Sequence, residues 1–222
     1  MPRTLEQLKQ ACSAEWSAYI QHEFVQQLGA GTLPADAFRH YLKQDYLFLI
    51  QFARAWALAA YKSSTLDDLR HAKNMLYAIA DEELQLHIDY CRTWGVSEQE
   101  LQALPEARAT LAYSRYVLDT GNRGDLLDMQ VALAPCVIGY AEVARWLNGR
   151  AQTVRGARNP YEAWISMYEG QAFQDAAAAA HAWIDAQLAE VGPRRMAQLT
   201  RIFRDATRLE IDFWDMGLHQ RM

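Results

Sequence analysis

Tyr41-Leu-Lys-Gln-Asp-Tyr-Leu-Phe-Leu-Ile-Gln-Phe52 is the stretch from which the rest of the chain reads. Tyr41, Asp45, Phe48 and Phe52 recur at three and four residues, the spacing that places side chains on one face of an α-helix. Thr32-Leu-Pro34 starts that helix, since proline is favoured in the first turn, and the pattern continues to about Lys62. The same recurrence runs along the whole chain, with hardly any alternation bounded by turn residues. The sequence therefore predicts an all-α protein.

Before this stretch, a first helix is predicted over about residues 4–28, closed by Gly29-Ala-Gly31. After it, Ser63-Ser-Thr65 breaks the chain and caps a third helix that reaches Trp94 and stops at Gly95. Ser97-Glu-Gln-Glu100 fits a capping box, in which the hydroxyl and the acid three residues on each accept an otherwise unpaired amide. Leu104-Pro105 precedes another helix to about Asp119, and Thr120-Gly-Asn-Arg-Gly124 is a loop. A helix over about 125–147 carries Cys136, and 148–160 is the longest irregular segment and the one with the length to gate a pocket. Helices over about 161–189 and 194–219, separated by Gly192-Pro193, complete the chain. Long helices joined by short loops form bundles; 222 residues with 51% hydrophobic content can build one large core or two small ones, nothing in the composition forces a split, and the chain reads as one domain.

Charge and cysteine usage exclude several classes. A net charge of −5 and a pI near 5.7 argue against a nucleic-acid partner, which needs a basic field. Arg150, Arg155 and Arg158 read as solvated loop charge, with an anion site or subunit contact as the alternative. Cys12, Cys91 and Cys136 are odd in number and far apart, with no CxxC pair or histidine at zinc-ligand spacing, a pattern of reducing compartments. The start, Met1-Pro-Arg-Thr-Leu-Glu-Gln-Leu-Lys, lacks an apolar leader, and no stretch reads as approaching the ~18 apolar residues of a membrane span. The expectation is a soluble, cytoplasmic protein with no membrane partner.

Four constellations bear on chemistry. In Val131-Ala-Leu-Ala-Pro-Cys-Val-Ile-Gly-Tyr140, Pro135 inside a helix removes a hydrogen bond at a cost of roughly 3 kcal/mol, which predicts a kink. Residues four apart lie one above the other on a helix, so Cys136 and Tyr140 are expected to project into the same space; the ordinary alternative is a cysteine that serves as a small buried hydrophobe. Asp45 lies on an aromatic face and needs a partner, because burying a carboxylate unpaired costs several kcal/mol. That partner is either a core tyrosine or solvent at the helix edge, or the exocyclic amine of a flat ligand. Glu210 and Asp212 lie on different faces of the last helix, so at most one turns towards a pocket lined by Phe213 and Trp214; a surface salt bridge to Arg204 or Arg208 is the alternative. Trp164-Ile-Ser-Met-Tyr168 reads as core. Seven tryptophans, eleven tyrosines and seven phenylalanines suit a pocket for a planar heterocycle and equally a large helical core.

Together these segments resemble the TenA family, the thiaminase II-type proteins of haem-oxygenase-like all-helical fold. The resemblance is carried by His22-Glu-Phe-Val-Gln-Gln-Leu28 followed by Gly31-Thr-Leu-Pro34, by Tyr41-Leu-Lys-Gln-Asp-Tyr46, by Pro135-Cys136 with Gly139-Tyr140, by Trp164-Ile-Ser-Met-Tyr168, and by Glu210 before Phe213-Trp214, in order over about 190 residues. It implies an aminopyrimidine aminohydrolase of thiamine salvage, acting on 4-amino-5-aminomethyl-2-methylpyrimidine and more slowly on thiamine. Cys136 would be the nucleophile and Glu210 the acid for the ring nitrogen. Asp45 would accept from the 4-amino edge and orient or help ionise the thiol, while Tyr113, Tyr140 and Tyr168 would line the pocket. Some relatives carry tyrosine where this chain has Phe48, so only stacking carries over at that position. The resemblance also implies a homotetramer, and the chemistry requires no metal or redox cofactor.

The same fold hosts di-iron oxygenases, for which Glu82 or Glu83 with His87, Glu142, and His181 with Asp185 approach a ligand set. The last histidine of that set is missing, since Leu188 stands three residues past Asp185. Haem binding through His22 is a weaker variant, and a non-catalytic pyrimidine-binding or regulatory protein is the third reading.

Overall fold

From Arg3 to Met222, the residues that the computed structural model describes, every regular element is helical and no strand occurs. Met1 and Pro2, the first residues of the amino-terminal stretch read above, lie outside it. Along the chain run α1 (Leu5–Ala11), α2 (Ser13–Ile20), α3 (Glu23–Ala30), α4 (Ala35–Lys62), α5 (Leu66–Tyr77), α6 (Leu84–Arg92), α7 (Glu98–Gln102), α8 (Arg108–Arg123), α9 (Leu126–Ala134), α10 (Tyr140–Asn148), α11 (Glu162–Glu169), α12 (Gln171–Ala189) and α13 (Pro193–His219). They fall into two compact units, one built from the chain up to residue 34 with 130–214, the other from 35–129 with 215–222.

In the first unit, the single helix predicted over 4–28 is three. Leu5, Leu8, Cys12, Trp16, Tyr19, Ile20 and Phe24 are all buried at helical spacing, so the apolar pattern runs across both breaks without registering them. At Cys12 the backbone leaves helical dihedrals (φ −124°, ψ 29°); nothing in the sequence marks that break. At His22 (ψ 151°) the imidazole Nδ1 accepts the Phe24 N–H at 3.2 Å and caps α3, which ends at Gly31 in the left-handed region (φ 71°). Lys9 bonds to Glu142, whose other oxygen accepts the Trp16 indole N–H at 2.8 Å, so α1, α2 and α10 share one partly buried polar knot.

The helix predicted over 125–147 is interrupted by a π turn at Pro135–Gly139. Proline supplies no N–H for the ladder, and bonding from i to i+5 takes up the mismatch as a widened turn. Cys136 lies within this turn and Tyr140 follows it as the first residue of α10. Contrary to the sequence reading, the 23-residue segment Leu126–Asn148 is long and apolar enough to cross a membrane, with a mean hydropathy of 1.4 in its richest window. Its apolarity has a packing cause, because 83% of that window is buried inside the protein.

The irregular segment 148–160 is fastened rather than loose. Buried Asn159 donates to the carbonyls of Leu28, Gly29 and Val154, the Val154 N–H donates to Gly29 O, and Tyr161 donates to Leu33 O at 2.5 Å. Arg155 is not solvated loop charge: it bonds Glu162 and Glu169, and Arg150 lies over the Trp146 ring at 4.2 Å. Gly170 (ψ 142°) splits the helix predicted over 161–189.

The second unit is organised on the 28-residue α4, against which α5, α6 and α8 pack. Buried Gln44 on α4 donates to Pro105 O at 3.0 Å and accepts from Ala107 N and Thr110 Oγ1, both at 2.8 Å, setting the start of α8. Both predicted caps form: Thr65 accepts the Asp68 N–H at 3.1 Å, and Ser97 with Glu100 makes the capping box. A second π turn, Ala78–Glu83, divides the helix predicted over 65–94.

Candidate active site

Of the three thiols, Cys136 alone has appreciable exposure; Cys12 and Cys91 are buried. Burial pushes the Cys91 thiol up to about 11 and raises Cys12 as well, which leaves both poor nucleophiles. Cys136 sits in the π turn, its Sγ 3.1 Å from Leu133 O. The turn is held from below by Tyr19, whose hydroxyl donates to Pro135 O at 3.0 Å. Gly139 permits that approach: a β-carbon there would lie 2.4 Å from Tyr19 Cε1. Strained or widened helical turns of this kind recur at functional positions.

The same unit assembles the aromatic residues of the carboxy-terminal motifs. Tyr140 lies 5.0 Å from Tyr168 and 5.3 Å from Trp214 between ring centroids, and Trp164 is 4.6 Å from Tyr168. Trp214 stacks on Phe24 at 4.9 Å, which explains why the His22-Glu-Phe24 stretch belongs with the distant Trp214. Glu210, one helical turn before Trp214, is 1% exposed, whereas Asp212 faces solvent. The choice between the two acids is thus made by helix phase. The arginines that could have drawn Glu210 to the surface turn instead to Glu15, Arg204 at 3.4 Å and Arg208 at 3.5 Å.

The second unit holds the remaining candidates. Asp45 is 4% exposed and has two partners: Tyr41, whose hydroxyl lies 3.3 Å from Oδ2, and His87, whose Nε2 lies 2.8 Å from the same oxygen. The His87 Nδ1 is 2.9 Å from Glu83 O; a carbonyl only accepts, so Nδ1 carries a proton and Nε2 is turned to the carboxylate. Burial alone would pull the imidazole down, but the hydrogen bond and charge of Asp45, with Glu83 behind them, outweigh it and hold His87 above its ordinary value. Phe48 stacks on Tyr113 at 4.8 Å and on Phe52 at 5.9 Å. The structure thus brings Asp45 to Tyr41 and Phe48 to Tyr113 within this unit, and Tyr140 to Tyr168 within the other.

His87 is the residue that sequence reasoning missed. Its spacing from Glu83 was visible, but read only as a ligand pair, and no local signal links it to an acid 42 positions away. The other residues of the di-iron reading are dispersed among different partners. Glu142 holds Lys9 and Trp16, and Asp185 accepts the Leu5 N–H at 2.7 Å while His181 lies 3.5 Å from its other oxygen. Among the described residues no three histidine, cysteine or acidic side chains gather as a metal site. His22, the residue of the haem variant, spends its Nδ1 on the α3 cap.

The sequence model of the TENA/THI-4/PQQC family matches residues 9–220. The chain belongs to that family. The TenA resemblance read from the motifs therefore stands, and the all-helical architecture is the haem-oxygenase-like one. Within the family, the chain is 44% identical over 214 residues to an uncharacterized protein of Haemophilus influenzae, across 96% of this chain and 98% of that one. It is 36% identical over 209 residues to the aminopyrimidine aminohydrolase of Halalkalibacterium halodurans, across 93% and 92% of the two chains. Among solved structures, a TenA family transcription regulator from Silicibacter sp. TM1040 superposes with a TM-score of 0.90 at 42% identity, covering 98% of this chain and 97% of that one.

Proposed function

We propose that the protein is an aminopyrimidine aminohydrolase of thiamine salvage, converting 4-amino-5-aminomethyl-2-methylpyrimidine and water into the 5-hydroxymethyl pyrimidine and ammonia. Cleavage of thiamine to the same pyrimidine and the thiazole alcohol is its second activity. The observation that carries this reading is the partly exposed thiol of Cys136, set in a π turn of a chain matched almost end to end by an aminohydrolase.

The amine on the C5 methylene leaves poorly while the ring is aromatic. Addition of the Cys136 thiolate at ring carbon 6, with proton transfer from the Glu210 carboxyl to the ring nitrogen, converts the ring to an enamine whose electron pair expels the side-chain amine, carried as the ammonium group in the substrate, as ammonia. Water then adds to the exocyclic carbon and gives up a proton that the ammonia takes, the ring nitrogen returns its proton to Glu210, and the thiolate is eliminated. Asp45 accepts from the 4-amino edge. Tyr140 and Tyr168, and Phe48 stacked on Tyr113, offer aromatic faces to the pyrimidine, Phe48 by stacking alone. No step calls on a metal or redox cofactor.

The homotetramer belongs to the same proposal. Its support is a set of exposed apolar side chains on the second unit, Tyr61, Leu66, Leu69, Tyr77 and Leu86, which self-association would cover. Cytoplasmic placement is supported by three cysteines that carry thiols rather than disulfides.

The description of the Silicibacter relative as a transcription regulator favours a second reading, a pyrimidine sensor without turnover. Release of hydroxymethylpyrimidine and ammonia by purified, metal-stripped protein separates the two. The hydrolase gives turnover that Cys136→Ser abolishes while pyrimidine binding persists, and that Glu210→Gln slows more than it weakens binding. Turnover at the wild-type rate in Cys136→Ser overturns the covalent mechanism, and binding without turnover in the wild type turns the choice to the sensor.

A further inference from the structure

We propose that His87 is a positioning residue for pyrimidine recognition: it grips one oxygen of Asp45 and leaves the other oriented as the acceptor for the amino edge of an aminopyrimidine. The inference rests on the role of Asp45 proposed above and extends it to a residue that touches no substrate.

Three observations carry it. Both contacts of Asp45 fall on the same atom, Oδ2, with His87 Nε2 at 2.8 Å and the Tyr41 hydroxyl at 3.3 Å. Among the described residues no donor reaches Oδ1, so one acceptor atom of a 4% exposed carboxylate is left for a ligand. The imidazole is itself anchored, 2% exposed and held through Nδ1 by Glu83 O at 2.9 Å, at the end of the Ala78–Glu83 π turn. The ionisable groups facing it are Asp45 and Tyr41 from α4 and Glu83 from its own segment.

A purely structural account of this pair is weak on energetic grounds. Buried ion pairs recover little or none of their desolvation cost as stability, and apolar residues of similar volume often serve a core better. Holding a carboxylate in one orientation for a ligand is a use that an apolar pair could not fill, in the manner of outer residues that orient the groups in direct contact.

The test uses the full chain, ¹⁵N-labelled at histidine, with the His87 ring signals assigned by their loss in His87→Gln. Hydroxymethylpyrimidine is the probe, and its Kd is measured by calorimetry, so no turnover is required. The wild type is expected to show both ring nitrogens protonated at pH 7, and Asp45→Asn a His87 signal that titrates at lower pH. His87→Gln is expected to weaken pyrimidine binding about tenfold, the order of difference between a charge-assisted and a neutral hydrogen bond. The double variant should bind no worse than Asp45→Asn alone, because the histidine acts only through the acid. Circular dichroism and thermal melting establish that each variant is folded.

A neutral His87 at pH 7 in the wild type overturns the pairing itself. Wild-type affinity in His87→Gln beside weakened binding in Asp45→Asn overturns the positioning role and leaves Asp45 in place. Wild-type affinity in Asp45→Asn overturns the reading of Asp45, and this inference with it.

Discussion

Replacing Gly139 with alanine measures how tightly the turn that bears Cys136 is set. A β-carbon at that position meets Tyr19 Cε1 at 2.4 Å, its hydroxyl at 2.8 Å and Cζ at 3.0 Å, where a pair of carbon atoms is at ease only near 3.5–4.0 Å. Tyr19 has little room to yield, being fully buried with its ring centroid 5.6 Å from Trp16 and 6.2 Å from Trp214. Overpacking of this kind costs about 1–3 kcal/mol. Losing the Tyr19 bond to Pro135 O adds roughly 1 kcal/mol, and the better helix propensity of alanine returns up to about 1 kcal/mol. The net expectation is a destabilisation of roughly 1–4 kcal/mol, or a melting temperature lower by several degrees in a chain of this size.

Urea denaturation of the wild type, Gly139→Ala, Tyr19→Leu and the double variant supplies the comparison. Leucine vacates the space that the new methyl needs, so the double variant should lose less than the two single losses together, with a coupling of at least about 0.5 kcal/mol. Specific activity of the folded Gly139→Ala protein should fall as well, since any relief of the clash displaces the Pro135–Gly139 turn. A Gly139→Ala protein as stable as the wild type, or more so, would refute the packing argument and the account of the turn built on it.

Thiol labelling and acid titration address two other environments. With one equivalent of iodoacetamide at pH 8, mass spectrometry should find Cys136 modified first; a Cys91 thiol pushed to about 11 is only about one part in a thousand ionised there, and Cys12 is buried too. Modification of Cys91 ahead of Cys136 in the native protein would contradict that order. The Arg155 hydrogen bonds draw the Glu162 carboxyl from 4.5 down to about 2. Because the folded value is the lower one, the stabilisation is full above about pH 4.5 and drains away as pH falls towards 2. The stability gap between the wild type and Arg155→Gln should therefore close over that interval in urea titrations, and a gap that stayed constant would rule out the coupling.

Much of the candidate site was legible in local spacing. The inward turn of Glu210 against the outward turn of Asp212 follows from helix phase alone, as does the contact between Tyr41 and Asp45, four residues apart. Pro135 announced a distortion of the cysteine helix, since a missing N–H is a property of the residue itself. The form of the distortion was not legible. A π turn rather than a sharp kink depends on Tyr19, 116 positions away, donating to the Pro135 carbonyl, and on Gly139 letting that ring approach. The breaks at Cys12 and His22 were hidden for the opposite reason: buried residues keep a helical period across them, and periodicity reports burial rather than hydrogen-bond continuity.

By itself the sequence determined what depends on neighbours within about one helical turn: the all-helical architecture, the caps at Thr65 and Ser97, and the apolar face of α4 that carries Asp45 and Phe48. Only the tertiary structure decided which distant groups answer which needs: His87 for Asp45, Glu142 for Lys9, Asn159 for the carbonyls of Leu28 and Gly29. A buried polar group must find a partner, but burial specifies no partner in sequence. That choice is made when helices pack and bring particular donors and acceptors within hydrogen-bonding distance.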